Sequence, residues 1–116
     1  MPRTVDEFLQ DILINIERVE GYATGKSEAD LLVVPMFYDA VERCVERISE
    51  ASRGIPDDVK AQHPEVPWHA YAAIGNRLRH GYFAIDSSIV WQTVTIDLPV
   101  LRQAVLNIQT KLAGGK

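Results

Sequence analysis

The side chains best suited to chemistry fall in one stretch of the chain, residues 68–86. Its spacing of apolar residues predicts a helix that begins just after Pro67. At 3.6 residues per turn, Asn76, Arg77 and His80 share one face of that helix. An imidazole has an ordinary pKa of about 6.5 and can give or take a proton near neutral pH, while guanidinium and amide groups can hold a phosphate. The stretch is therefore the candidate functional site, although a lone histidine on a helix is more often a core or surface residue.

Other common kinds of catalytic or cofactor site have no signature in the sequence. The histidines at positions 63, 69 and 80 form no HxxxH pair and accompany no cysteine cluster, so no metal site is predicted. The chain has no glycine-rich phosphate loop, nucleophile elbow or CxxC motif, and no cofactor is expected. The single cysteine, Cys44, falls among apolar residues at helical spacing, which indicates a core thiol rather than a nucleophile.

Length and composition are typical of one domain, residues 1–116, with one core and a frayed tail from residue 113. No apolar run is long enough to span a bilayer, and no signal peptide is expected. One cysteine cannot form an internal disulfide, which favours the cytoplasm. The net charge of −4 argues against general electrostatic binding of nucleic acid, so an RNA contact would need a local basic patch.

Capping signals and periodicity predict two long helices in the first half of the chain. Thr4 opens a capping-box pattern, and the helix that follows should run to about Ala23. Pro35 predicts either a kink or the first turn of a new helix. Gly54 and Pro56 should end this second long helix.

The second half should hold a connector, the candidate-site helix and two further helices. Residues 55–67 contain three prolines and a possible single helical turn at Asp57–Ala61. A short helix should begin near Ile89, and Asp97 can cap a last one. Because no β alternation occurs, the predicted fold is all-α, an antiparallel bundle of four to five helices. The predicted core residues are Phe8, Ile12, Ile16, Val41, Cys44, Val45, Ile48, Ile74, Leu78, Leu101, Val105 and Ile108.

A polar stripe on the second long helix, formed by Arg43, Arg47 and Glu50, is open to two interpretations. One is a solvated face whose ion pairs contribute roughly a few tenths of a kcal/mol each. The other is the wall of a groove in which the two arginines bind RNA.

Several segments look like the HepT-like proteins of the HEPN superfamily. Residues 77–86, RLRHGYFAID, are followed by IVW at 89–91. They are similar to a family signature of RN-x-L-x-H-x-Y followed by an aromatic residue, an Ile-Asp pair and a tryptophan. Trp68 resembles the tryptophan that opens the family's motif helix.

A second similarity lies upstream. Residues 39–43, DAVER, and 48–51, ISEA, resemble the family's segments D-A-V-x-R and I-G-E-A, with Ser49 in place of the glycine. In all, the likeness covers about residues 5–112, essentially the whole chain.

The resemblance implies a helical bundle that forms a homodimer with its motif helices facing each other. The family contains metal-independent endoribonucleases that act as toxins and are paired with a minimal nucleotidyltransferase antitoxin. The catalytic histidine corresponds to His80, and the tyrosine that the antitoxin adenylylates corresponds to Tyr82. Asn76 matches the motif asparagine, and Arg79, about a quarter-turn from His80, would follow the backbone of bound RNA.

The chain departs from the family pattern at the catalytic arginine, because Gly75 occupies its position. Arg77 lies on the His80 face of the predicted helix and could supply the phosphate contact instead. If the protein is an impaired nuclease, Gly75→Arg is expected to raise its activity. The alternative is a non-catalytic, dimeric helical module that binds a nucleotidyltransferase.

Overall fold

The computed structural model describes residues 3–79 and 87–114, with only the backbone of residues 76–79. Throughout these residues the protein is built from helices and turns, without a β-strand, which confirms the all-α prediction. The helices are α1 (Val5–Ala23), α2 (Asp30–Val33), α3 (Pro35–Ser52), α4 (Asp57–Ala61), α5 (Trp68–Arg79), α6 (Ser87–Gln92), a π-helical turn (Thr93–Asp97) and α7 (Leu98–Gly114).

Helix α1 begins and ends where the sequence predicted. The Thr4 hydroxyl accepts a hydrogen bond from the Glu7 amide at 3.2 Å, which satisfies one of the backbone donors left free at a helix start. After Ala23 the chain turns at Gly25, whose φ of +75° lies in the left-handed region that glycine adopts without a steric penalty. The predicted cap and the predicted stop are both confirmed.

Helix α3 is a new helix rather than the continuation of a kinked one. Val34 is extended, with φ −121° and ψ 90°, and Pro35 occupies the first helical turn, where a missing N–H costs little. After Ser52 the chain turns, and a single short helix, α4, occupies the predicted Asp57–Ala61.

The last third of the chain differs from the prediction, because Asp97 does not cap a separate helix. Asp97 lies inside a π-helical turn that joins α6 to α7, and the flanking Gln92 and Leu98 keep right-handed helical backbone angles. The hydroxyls of Thr93 and Thr95 donate to carbonyl oxygens four residues earlier, at 2.9 and 2.8 Å. Such hydrogen bonds compete with the backbone bonds of a helix and bend it without ending it. The chain therefore passes from α6 to α7 without a helix end and a new N-cap between them.

Helix α3 packs against both α1 and α5, while α7 packs against α1, and their apolar stripes form one core. Phe8 and Ile74 are only partly buried, and the side chain of Leu78 is outside the described residues. Phe8 lies at the edge of the core, and the Arg3 guanidinium lies over its ring, 4.7 Å from the ring centre. The other predicted core residues are confirmed as buried: Ile12, Ile16, Val41, Cys44, Val45, Ile48, Leu101, Val105 and Ile108.

A paired guanidinium and carboxylate fasten α7 to α1. Both terminal nitrogens of Arg102 donate to the carboxylate of Glu20, one of them at 2.7 Å. In the part of the chain that the structure describes, no helix is both long and apolar enough to cross a membrane.

Candidate functional site

The candidate-site helix, α5, is anchored at its first residue. The indole N–H of Trp68 is shared between the carbonyl oxygens of Lys60 and His63, each at 3.2 Å. His63 is buried, and its Nδ1 lies 3.1 Å from a carboxylate oxygen of Glu65 in the same connector. The connector thus fixes where α5 begins.

The buried face of α5 is held against the C-terminal helices by Tyr71. Its side chain is 4% exposed, and its hydroxyl donates to the carbonyl oxygen of Asp97 at 2.9 Å. Burial raises the pKa of the Tyr71 phenol, and the nearby Asp97 carboxylate raises it further. The hydrogen bond also pairs a carbonyl of the π-helical turn with a donor from a different helix.

The other face of α5 is open. His69, Ala70 and Ala73 are exposed on it, as the sequence predicted for His69 and Ala73. The helix continues through Asn76 and Arg77 to Arg79, whose side chains lie outside the described residues, as do His80 and Tyr82 in full. The catalytic assignments of Asn76, Arg77 and His80, the RNA contact of Arg79 and the modification of Tyr82 therefore stay predictions.

Gly75 is buried where α5 crosses α3. A Cβ built on it would overlap both the Cβ and the Oγ of Ser49, whereas the Ser49 Cα would be 3.8 Å away, an ordinary contact. Ser49 is 1% exposed, and its hydroxyl has no hydrogen-bond partner within the described residues. The contact contradicts the assumption behind Gly75→Arg, because no side chain can be added at position 75 unless α5 moves away from α3.

The two arginines of the α3 stripe have different surroundings. The Arg43 guanidinium is exposed and pairs with the carboxylate of Glu46 at 3.2 Å. Arg47 lines a groove of about 580 Å³ between α1 and α3, here called the α1–α3 groove. Its wall on α1 includes Asn15 and Arg18. The solvated-face interpretation therefore suits Arg43, and the groove-wall interpretation suits Arg47.

Two carboxylates, those of Asp11 and Glu50, also line the groove, and each contacts an arginine other than Arg18 and Arg47. Asp11 accepts from the Arg3 guanidinium at 2.6 Å, and a Glu50 carboxylate oxygen lies 4.0 Å from the Arg53 guanidinium. Arg18 and Arg47 form no ion pair among the residues that the structure describes. The α1–α3 groove is thus locally cationic in a chain of net charge −4.

The buried thiol of Cys44 lies near the same charges. Burial raises its pKa, and the positive charges of Arg47, Arg18 and Arg43 oppose that shift without reversing it. A thiol that is 2% exposed and kept protonated is a poor nucleophile, which fits the predicted core role. No group of three or more acidic, histidine or cysteine side chains suited to a metal ion occurs in the described residues.

Sequence reasoning missed Arg18 and Asn15 of the groove. Asn15 is 5% exposed, and its amide nitrogen donates to the Asp11 carbonyl oxygen at 2.8 Å. Its carbonyl oxygen, Oδ1, is buried without a partner in the described structure. The available signal was an asparagine between Ile12 and Ile16 on the apolar stripe of α1, where a polar residue is unexpected.

Comparisons with known proteins agree on one family. The family model described as "Ribonuclease HepT-like" matches residues 12–108. A "Probable ribonuclease HepT" of Thermococcus cleftensis is 38% identical over 88% of this chain and 93% of its own length. A "Putative RNase" of Caldanaerobacter subterraneus is 32% identical over 92% of each chain.

A third relative is longer. The "Gamma-glutamylcyclotransferase and putative RNase" of Methanocaldococcus jannaschii is 32% identical over all of this chain, which spans 52% of that relative's length. No solved structure matches the chain significantly.

Proposed function

This chain belongs to the HepT-like ribonuclease family, and on that premise we propose that it is a metal-independent endoribonuclease, the toxin of a pair with a minimal nucleotidyltransferase antitoxin. The observation that carries the proposal is the family match over residues 12–108, which includes the whole candidate-site stretch. The RNase class follows from the family, and the pairing with an antitoxin is the finer part of the proposal.

The proposed reaction needs no metal ion or cofactor. The ribose 2′-OH attacks the adjacent phosphorus, one base removes its proton, and one acid protonates the departing 5′-oxygen. Two copies of His80, one from each protomer of a homodimer, would serve as that base and that acid near neutral pH. Arg77 and Asn76 would stabilise the charge that develops on the phosphate.

The described part of α5 supports this arrangement in two ways. Its open face carries a small residue, Ala73, whose methyl group would let a second helix approach closely. Contacts of Trp68, Tyr71 and Gly75 hold α5 against the rest of the protein along residues 68–75, just before the proposed catalytic residues. Catalytic groups benefit when rigid elements position them.

The test is cleavage of single-stranded RNA by purified protein in the presence of a chelator. His80→Ala should abolish cleavage, and Arg77→Ala should lower the rate by about 100-fold or more, the loss expected when one transition-state donor is removed. Arg53→Ala removes an exposed arginine from the end of α3 and serves as the control. Cleavage by Arg77→Ala at the parental rate would refute the role of Arg77.

Tyr82 is proposed as the site at which the nucleotidyltransferase acts. An added AMP would bring a bulky negative charge close to His80 in sequence, which would repel RNA and fill the cleft. Mass spectrometry after co-expression with the cognate enzyme should find AMP on Tyr82 and none on Tyr82→Phe. An inactivated toxin without a modified Tyr82 would exclude this mechanism.

The second candidate is a non-catalytic dimeric module that binds the nucleotidyltransferase. It is favoured by one observation, the burial of Gly75 against Ser49 at the position of the family arginine. A folded dimer that cleaves no RNA, yet forms a stable complex with the nucleotidyltransferase, would favour this candidate over the nuclease.

A further inference from the structure

We propose that the α1–α3 groove is a binding subsite for single-stranded RNA, in which Arg18 and Arg47 hold a backbone phosphate and Asn15 accepts a hydrogen bond from a base. The inference rests on the proposed function in one respect only, that RNA is the ligand. It concerns a surface formed by α1 and α3 and not the candidate-site stretch, residues 68–86.

The first argument is charge. Arg18 and Arg47 line one groove from two different helices, and both positive charges act on the same buried thiol of Cys44. Asp11 and Glu50 also line the groove, but neither carboxylate forms an ion pair with Arg18 or Arg47 among the described residues. Two free guanidiniums that converge on one groove are the usual protein contribution to phosphate binding.

The second argument is the buried oxygen of Asn15. A buried acceptor without a partner costs about 1–3 kcal/mol, so proteins rarely retain one without a use. Asn15 belongs to the groove wall, and its Oδ1 is buried without a donor in the described structure, so a rotation of the side-chain amide would bring this oxygen to the groove. Unpaired bases of single-stranded RNA offer N–H donors on their exposed edges.

The third argument is shape. At about 580 Å³, the groove is within the range of about 300–1,000 Å³ that is typical of ligand sites. Phe8 and Ile14 add apolar surface to its wall. Apolar and aromatic surface beside cationic groups suits a nucleotide better than a free inorganic ion.

Binding is measured with a labelled RNA that carries 2′-O-methyl groups, so that it lacks the attacking hydroxyl and cannot be cleaved. Fluorescence anisotropy over a series of salt concentrations compares the parent with Arg18→Gln/Arg47→Gln. The double variant should bind about tenfold or more weakly at low salt, and its log–log salt slope should be shallower by about 0.7, the change expected when one phosphate contact on a single strand is lost. Thermal unfolding monitors the fold of every variant.

Arg43→Gln is the matched control, because it removes the same charge from the same helix four residues away, where Glu46 pairs with it. The proposal is overturned if Arg43→Gln weakens binding as much as Arg47→Gln does. It is also overturned if AMP or inorganic phosphate displaces the RNA as effectively as an equal concentration of unlabelled strand, since the groove would then bind a free anion.

Asn15→Leu tests the base contact without changing charge. The variant loses the hydrogen bond from the Asn15 amide to the Asp11 carbonyl but also loses a buried unpaired oxygen, so its stability should stay close to that of the parent. It should bind RNA several-fold more weakly. Unchanged binding by Asn15→Leu contradicts this part of the proposal.

The two proposals fail differently. A parent protein that neither binds nor cleaves RNA contradicts the nuclease function. A parent that cleaves RNA, with a groove variant that binds like Arg43→Gln, contradicts only the groove.

Discussion

Gly75 and Ser49 set the distance between α3 and α5, since the two helices meet at a residue with no side chain and a residue with a small one. In the family segment I-G-E-A a glycine occupies the position of Ser49 on α3. In this chain the glycine of the crossing is Gly75, on α5. Small residues at a crossing allow close approach of two helix backbones.

We predict that Gly75→Ala destabilises the protein by about 1–3 kcal/mol, because the new methyl group overlaps Ser49. In a Ser49→Gly background the loss should be much smaller, with a coupling energy of about 0.5–3 kcal/mol. Urea unfolding measures all four variants of this cycle.

The control for that cycle is Gly21→Ala in α1. Gly21 is also a helical glycine, but nothing lies within 4 Å of its added Cβ. Alanine there should stabilise the protein by about 0.5–1 kcal/mol. Equal effects of alanine at positions 21 and 75 would contradict the close crossing.

A second prediction at the residue scale concerns alkaline pH. Burial raises the pKa of both the Cys44 thiol and the Tyr71 phenol in the folded protein. The unfolded chain then ionises first, from about pH 8.5 for the thiol and about pH 10 for the phenol. Stability should be flat below these values and fall as pH rises through them, by at most about 1.4 kcal/mol per pH unit for each group.

Urea unfolding between neutral and alkaline pH measures this effect. Cys44→Ala should remove the earlier part of the decline and Tyr71→Phe most of the later part, each at a constant cost in stability. Tyr38, whose phenol pKa is also raised by burial, accounts for the remainder. Tyr22→Phe, at an exposed position of α1, should leave the decline unchanged. A parental decline in Tyr71→Phe would show that the buried phenol does not cause it.

At the scale of the element, α5 depends on its first residue. Trp68→Phe keeps an aromatic ring but removes the N–H that joins α5 to the carbonyls of Lys60 and His63. Each carbonyl also accepts a backbone N–H, from His63 and Val66 respectively, so neither is left unpaired. We therefore expect Trp68→Phe to lower the free energy of unfolding by only about 1 kcal/mol more than a Trp→Phe change at a site where the indole N–H makes no hydrogen bond.

Trp91→Phe provides that comparison. Trp91 is partly buried against the core, and its indole makes no hydrogen bond within the described residues. Thermal unfolding of the two variants should rank Trp68→Phe as the less stable. The reverse order would mean that ring packing, and not the indole N–H, anchors α5.

At the scale of the whole molecule, the proposed homodimer gives the sharpest prediction. If the open faces of α5 pair, Ala73→Arg introduces a large like charge on both sides of the interface and should give a monomer. Light scattering after gel filtration measures the mass. Met36→Arg changes an even more exposed residue, 83% accessible at the start of α3, and should leave the dimer intact. A dimer that survives Ala73→Arg but not Met36→Arg would relocate the interface to the exposed apolar residues around Met36.

What the sequence determined by itself is local. The cap at Thr4 and the single turn at Asp57–Ala61 were predictable, because capping and periodicity act within a few residues. At Pro35 the sequence predicted either a kink or a new first turn, and the structure shows that a new helix begins there. The family resemblance was also readable, since it depends on the order and spacing of residue types along the chain.

Only the tertiary structure decided what depends on helices meeting. Asp97 resembled an N-cap in the sequence, but it lies inside a π-helical turn. There the Thr93 hydroxyl donates to the Ile89 carbonyl and the Tyr71 hydroxyl donates to the Asp97 carbonyl. Gly75 resembled a vacant catalytic position, but α3 occupies the space beside it. Arg43 and Arg47 belong to one stripe in the sequence, but only Arg47 lines the groove to which α1 brings Arg18. Periodicity predicts which face of a helix is buried, but not which residues of another helix will cover it, because that depends on crossing geometry.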